Sequence, residues 1–206
     1  MDMIKKFDIK SLFETEPTII IIGRRETGKT VLVCDILDHY TKKQENGTGT
    51  VITGTKRDIY TQYIQNSFIH DEYKSSIIKN VVKQLKPNQN SFLVLDNCLY
   101  DMSWTRDTFM RNIFGNGKLM MILALDYPLG ISIKMREKID YIFLLREHYI
   151  PNRKRIWENY ASIFPSFELF CSILDDCTKD NNCLVIKNNC EESCDLYDRI
   201  FTYRAV

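Results

Sequence analysis

The chain begins with an arm of mixed charged and apolar positions, residues 1–16, and then runs into PTIIII at 17–22. A continuous β-branched run predicts a strand buried on both faces, because a half-exposed strand would alternate. After the polar stretch GRRETGKT, Leu32, Ile36 and Tyr40 recur at helical spacing with Val33 and Leu37 beside them. This pattern predicts an amphipathic helix, ended by the Gly/Asn/Thr cluster at 46–50. Further strands are predicted at 51–53, 92–95 (FLVL), 119–125 (LMMILAL) and 139–145 (IDYIFLL). Between them, residues 56–85 are polar with helical apolar spacing, broken near 66–70 and ended before Pro87. Residues 105–114 scan as a helix stopped by GNGK, and 132–138 as a short basic helix after a turn at Tyr127, Pro128 and Gly130. From about residue 151 the pattern changes. Residues 152–178 predict two helices separated near Pro165, 183–186 an added strand, 188–195 an acidic loop, and 197–204 a last strand.

Strands alternating with helices predict an α/β fold: a mostly parallel sheet with helices on both faces. The 206 residues fit a single domain, 1–206, with a core at about 17–150 and a C-terminal extension at about 151–206. A hydrophobic fraction of 44% and a charged fraction of 27% mark a globular chain. The net charge of +1 carries no global positive field, so a nucleic-acid site has to be a local patch. No apolar run at the N-terminus reads as a signal peptide, and no run is long enough to span a bilayer, so no membrane span is expected. Seven scattered cysteines, odd in number and without a CxxC pair, read as free thiols of a reducing compartment.

The chemistry concentrates at strand ends. Residues 23–30, GRRETGKT, fit G-x-x-x-x-G-K-[ST] between a buried strand and an amphipathic helix. Gly23, Arg24, Arg25, Glu26, Thr27, Gly28, Lys29, Thr30 and Val31 are therefore the candidate nucleotide-binding residues. The glycines let backbone N–H groups converge on phosphate oxygens, and the helix start adds partial positive charge. Lys29 reaches the β and γ phosphates, and the Thr30 hydroxyl is a ligand for Mg²⁺. Asp96 ends the FLVL strand, at the edge where α/β sheets place ligands, and is the second candidate Mg²⁺ residue. The next residue, Asn97, is an amide where many nucleotide hydrolases carry a second acid; an amide has no useful basicity near neutral pH. A strand inserted between the P-loop strand and the Asp96 strand would bring Asp126, at the end of LMMILAL, beside the γ-phosphate.

GRRETGKT, FLVLDNCLYD, MRNIFGNGK, DYPLGI, IDYIFLLRE, ENYASIFPSFELFCSILDDCT and CLVI follow one another in this order. Together they resemble the poxvirus-type DNA-packaging ATPases of nucleocytoplasmic large DNA viruses, in the FtsK–HerA superfamily of P-loop motors. The resemblance runs from about residue 17 to the C-terminus, and the YPLGI, IDYIFLLRE and NYASIFPSF segments carry more of it than the widespread P-loop. It implies a RecA-like core with an inserted central strand, a homo-oligomeric ring, and Mg²⁺-dependent ATP hydrolysis that drives double-stranded DNA into a preformed capsid. A capsid protein, the host cytoplasm and the virion are the implied partner and places. Two positions depart from the family pattern: Asn97 where it carries a second acid, and Asp126 where it carries Gln before YPLG. The changes look reciprocal, and Asp126 is expected to take part of the base or water-positioning role.

Such a ring motor completes its site with an arginine from a neighbouring subunit. Arg146 is the candidate finger, with Arg153 and Arg155 in PNRKR as alternatives and Arg136 behind them. For DNA, Lys134, Arg136 and Lys138 form one candidate patch and Lys154 adds to a second; contact with phosphates rather than bases suits packaging, which must ignore sequence. Cys190 and Cys194 have a spacing zinc tolerates, but no second close pair follows and no metal beyond Mg²⁺ is expected. Two other readings fit the P-loop: a small-molecule kinase, and a structural subunit that binds nucleotide with weak turnover.

Overall fold

In the computed structural model, residues 4–43, 48–55, 57–86, 89–100, 103–127, 131–189 and 195–205 are described. The strands are β1 (Lys5–Lys6), β2 (Thr18–Ile22), β3 (Thr48–Thr53), β4 (Ile69–His70), β5 (Ser91–Asp96), β6 (Met120–Leu125), β7 (Tyr141–Leu144), β8 (Cys183–Lys187) and β9 (Ile200–Tyr203). The helices are α1 (Lys29–Lys43), α2 (Ser75–Gln84), α3 (Thr108–Ile113), α4 (Ile133–Arg136), α5 (Ile150–Tyr160), α6 (Phe167–Cys177) and α7 (Leu196–Arg199). All nine strands join one sheet in the order β1-β9-β8-β7-β2-β6-β5-β3-β4. Every pairing from β7 to β4 is parallel, whereas β8 runs antiparallel to β7 and to β9. The expected α/β sheet, its inserted strand and its C-terminal additions are all present.

The continuous apolar runs explain the centre of this sheet. On β2, Ile20 and Ile22 pack into one hydrophobic cluster and Ile19 and Ile21 into the other, so both faces are covered. Each isoleucine buried in this way contributes about 1.5–3 kcal/mol relative to exposure. β6 is the inserted strand: it pairs with β2 on one side and β5 on the other, with Ile22 opposite Leu125 and Asp96 opposite Ala124. This register brings the ends of β2, β5 and β6 to one edge and sends the chain beyond each of them toward the same space.

Several boundaries differ from expectation for identifiable reasons. β3 starts at Thr48, inside the Gly/Asn/Thr cluster expected to be loop, because Gly49 passes over the Phe92 ring, where a Cβ would clash. The expected helical stretch 56–85 is two 3-10 turns (Arg57–Gln62 and Asn66–Phe68), the edge strand β4, and only then α2. The expected helix 105–114 begins at Thr108, because the Asp107 carboxylate accepts from the N–H of Phe109 at 2.8 Å and caps α3 there; residues Ser103–Arg106 form a separate 3-10 turn. α5 and α6 flank Pro165 as expected, with Ser166 capping α6 through the Leu169 N–H. In the last segment the one-turn α7 precedes a shorter strand than 197–204. Residues Pro128, Gly130, Cys190 and Cys194, named above for a turn and a zinc reading, lie outside the described residues. Among the described residues, no group of three or more His, Cys, Asp or Glu could hold a metal, and no helix is long and apolar enough to cross a membrane.

Candidate functional site

The loop between β2 and α1 is shaped by its two glycines. Gly28 has φ +101°, a conformation open to glycine and strained for other residues. Gly23 is needed for closeness instead: a Cβ there would lie 2.6 Å from Thr27 Oγ1 and 2.7 Å from Leu145 Cβ. The loop folds back on itself, with Thr27 Oγ1 donating to the Arg24 carbonyl at 2.7 Å. Lys29, buried at the first turn of α1, points its ammonium back into the loop. It donates to the carbonyls of Gly23 and Arg24, each at 2.8 Å, and pairs with Asp126 Oδ1 at 2.7 Å.

The second carboxylate is Asp96, 1% exposed at the end of β5. Its Oδ2 accepts from Thr30 Oγ1 at 3.1 Å and from the Tyr60 hydroxyl at 2.7 Å. Burial raises the Asp96 pKa; the bonds from Tyr60 and Thr30 and the Lys29 charge oppose that rise, and Asp126 adds to it. The net shift remains upward, so the negative charge of Asp96 is under-compensated by its protein neighbours. Thr30 and Asp96 supply two hard oxygens in contact beside the loop at 23–30. That donor set suits Mg²⁺, which takes few protein ligands and completes its shell with water and phosphate oxygens.

Tyr60 is the residue that sequence reasoning missed. It lies fully buried on the turn Arg57–Gln62, and burial together with the neighbouring Asp96 drives its phenol pKa far up. The hydroxyl therefore stays protonated and donates to Asp96 throughout the accessible pH range. Nothing near DIYTQY announces this role, since the partner is 36 residues away.

The inserted strand puts Asp126 where it was expected, beside the P-loop, and the structure adds a partner for it in Lys29. Asn97 sits one step along from Asp96 with φ +50°, a left-handed conformation that asparagine tolerates, and its N–H donates to the Ala124 carbonyl. Asn97, Asp126, Arg25 and Tyr127 line one cavity of about 300 Å³. A second cavity of about 550 Å³ is bordered by Arg24, Arg25, Arg146, His148 and Asn181. A third, of about 270 Å³, continues past Gly28 and Val31 to Leu145 and Arg204 and offers an apolar wall beside the start of α1.

The arginines separate clearly. Arg146 is exposed and borders its own P-loop cavity. Arg155 is exposed on α5. Arg153 is neither: its guanidinium forms a two-bond pair with Asp175, at 2.9 and 2.5 Å, and its Nε donates to the Glu147 carbonyl at 2.7 Å. Arg153 is thus held within its own chain with 7% of its side chain exposed, which sets it apart from Arg146 and Arg155 among the candidate fingers. Arg136 is likewise engaged, donating to the Asn159 carbonyl at 2.8 Å. The described cysteines are free thiols, and burial raises the pKa of Cys34 and Cys177 to about 11 and that of Cys98 to about 12, which keeps them unreactive.

No family model matches the chain. Protein 088R of Invertebrate iridescent virus 3 is 34% identical over 198 residues, covering 91% of this chain and 75% of that protein. Protein L437 of Acanthamoeba polyphaga mimivirus is 31% identical over 221 residues, covering 97% and 76%. The chain belongs to the family of these viral proteins. Its fold is that of the genome packaging NTPase B204 of Sulfolobus turreted icosahedral virus 2: TM-score 0.67 at 13% identity, over 93% of this chain and 97% of B204. The conjugation coupling protein TcpA shares it too, with TM-score 0.62 at 9% identity over 97% of this chain and 61% of TcpA. The fold implied by the motif resemblance is present, and this family member carries it with the G-x-x-x-x-G-K-T loop, a buried acid and an inserted strand.

Proposed function

We propose that the protein is an ATP-driven motor that moves viral double-stranded DNA into a preformed capsid during virion assembly. The observation that carries this reading is the contact of Thr30 with Asp96 beside the P-loop lysine, on a sheet with an extra strand between the P-loop strand and the Asp96 strand. The relation to B204, described as a DNA-packaging ATPase, supports DNA as the cargo. Thr30 and Asp96 are the residues that would hold Mg²⁺, which neutralises phosphate charge when bound.

The remaining roles follow from this chain's own residues. Gly23 to Thr30 bind and orient the triphosphate. Lys29 exchanges the Asp126 carboxylate for phosphate oxygens, because one ammonium cannot hold both anions at contact distance along with two carbonyls. Asp126, released into the cavity it shares with Asn97, accepts a hydrogen bond from the attacking water and takes its proton. Asn97 orients the same water through its amide. Subunits assemble as a ring in which Arg146, or Arg155 from a neighbour, meets the charge that develops on phosphate. The capsid protein is the further partner, and the host cytoplasm and the virion are the places of action.

A second reading, a nucleotide-binding subunit with weak turnover, is favoured by one observation: the acid that replaces the missing one is tied to Lys29. The deciding experiment is phosphate release with Mg²⁺ and ATP, with and without linear duplex DNA, together with light scattering in ATP. Turnover stimulated by duplex DNA in an assembled species is the expected result. Assembly with bound nucleotide and no phosphate release sinks the motor in favour of the structural subunit, and phosphate transfer to a nucleoside monophosphate sinks it in favour of a kinase.

A further inference from the structure

A one-sided stretch of positive charge lies away from the nucleotide. From residue 73 to residue 95 the sequence carries Lys74, Lys79, Lys83 and Lys86 and no acid. On α2, Lys79 and Lys83 are one helical turn apart on one exposed face, and Lys86 follows the end of the helix. The Lys79 ammonium lies 5.7 Å from the centre of the Phe109 ring on α3, so this face turns toward α3. Lys86 and Lys118 border a groove of about 800 Å³ with the amides Gln89, Asn90 and Asn112. Among the described residues, Lys79, Lys83, Lys86 and Lys118 are in no ion pair. One acid, Glu16, also borders the groove; its carboxylate accepts from the Tyr40 hydroxyl at 3.5 Å, and four lysines outnumber it.

The basic residues first considered for DNA are placed otherwise. Arg136 donates to the Asn159 carbonyl and Lys138 to the Phe114 carbonyl, so two of the three cations at 134–138 are anchors within the chain. The groove bordered by Lys86 and Lys118 also stands at the opposite edge of the sheet from the nucleotide. The groove residues lead into the starts of β5 and β6, whereas Asp96 and Asp126 lie at their ends. The six residues of β5 hold the two surfaces about 17 Å apart, so one chain can engage both ligands at once.

We propose that the face formed by Lys79, Lys83, Lys86 and Lys118 is the surface that grips the phosphate backbone of duplex DNA. The proposal rests on the motor reading and names its cargo-binding surface. Lysines with flexible stems and neutral amides bind phosphates without reading bases, which suits a cargo taken regardless of sequence.

The test is fluorescence anisotropy with two 30-base-pair duplexes of unrelated sequence, across a salt series. Wild type is expected to bind both alike, with log affinity falling linearly against log salt. K83E/K86E should lower affinity about 30-fold or more, and adding K79E and K118E should lower it further and flatten the salt slope by about 0.9 per lost phosphate contact. ATP turnover without DNA should stay at the wild-type level, because none of these lysines touches the nucleotide site. The milder pair K83Q/K86Q, which leaves the Lys79–Phe109 contact intact, keeps the test valid if the full reversal unfolds. Retention of wild-type duplex affinity by K83E/K86E and K83Q/K86Q overturns this surface while leaving the motor reading standing. A wild type with ATP turnover and no affinity for duplex DNA overturns both.

Discussion

β5 and β6 end side by side, and each strand delivers an aspartate to the P-loop edge, yet the two carboxylates are held in opposite ways. Asp96 is sealed from solvent and fixed by two hydroxyl donors, Thr30 and Tyr60, neither of which carries charge. Asp126 is about a quarter exposed and is paired with the ammonium of Lys29. A carboxylate surrounded by neutral donors keeps an uncompensated charge, which suits a divalent cation. A carboxylate on an ammonium gives up that partner when a more highly charged anion arrives. The difference teaches that the two acids are not interchangeable, although each follows an apolar strand in the sequence.

The largest effect is expected at the sealed acid. Asp96→Asn should lower Mg²⁺-dependent turnover about 10³-fold or more, since the metal's stabilisation of phosphate charge amounts to several kcal/mol. The same change should raise the melting temperature of the nucleotide-free protein. A carboxylate whose folded pKa is raised contributes stability at low pH that is lost as pH rises through that value. At neutral pH the Asp96 charge therefore opposes folding, and the asparagine relieves it. The gain should shrink as pH falls into the range where Asp96 protonates. A nucleotide-free variant that melts below wild type at pH 7 would show that Asp96 is structurally satisfied rather than poised for a cation.

Asp126→Asn comes next. The turnover rate should fall about 10²-fold, the low end of a general-base contribution. Nucleotide should bind tighter, because Lys29 no longer has to leave a carboxylate. An unchanged rate would reduce Asp126 to a latch on Lys29 and remove it from the chemistry. Tyr60→Phe should act more gently: the ring still packs, but one of the two donors to Asp96 is gone. The magnesium concentration needed for half-maximal nucleotide binding should rise about tenfold, while binding of nucleotide without magnesium stays constant. A uniform loss of binding with and without magnesium would mean that Tyr60 supports the loop and not the carboxylate.

Much of this edge could be read from the chain, because each piece lies at the end of a strand whose apolar run is unmistakable. Gly23, Lys29 and Thr30 follow the β2 run, Asp96 the β5 run and Asp126 the β6 run, and the inserted-strand reading put the last two together. What escaped depends on partners remote in sequence. Tyr60 looks like any tyrosine in a polar stretch until β5 comes to rest beside it. Arg153 and Arg155 are equivalent in PNRKR, and Asp175, 22 residues on, decides which one is bound. The two-residue strands β1 and β4 exist because β9 and β3 offer edges to pair with, not because KK or IH favours extended backbone. β4 was also hidden by a helical spacing that belongs to α2 alone.

The smallest single effect, and the sharpest test of the comparison, is expected at Asn97. Its left-handed φ suits aspartate as well as asparagine, so Asn97→Asp should leave the backbone undisturbed. The new carboxylate would stand next to Asp96 and share a cavity with Asp126, adding like charge where Asp96 is already under-compensated. The melting temperature of the nucleotide-free protein should fall by a few degrees at neutral pH, corresponding to about 1 kcal/mol. If Asp126 supplies the missing acid, a second one adds little, and the turnover rate should change by less than about threefold. The double variant Asn97→Asp/Asp126→Asn then becomes decisive. Two carboxylates that serve one function should rescue each other, so the double variant should recover most of the about 10²-fold lost in Asp126→Asn alone, a coupling of roughly 2–3 kcal/mol in a double-mutant cycle. Strict additivity would separate the two positions, leaving Asp126 as the partner of Lys29 and Asn97 as a true loss.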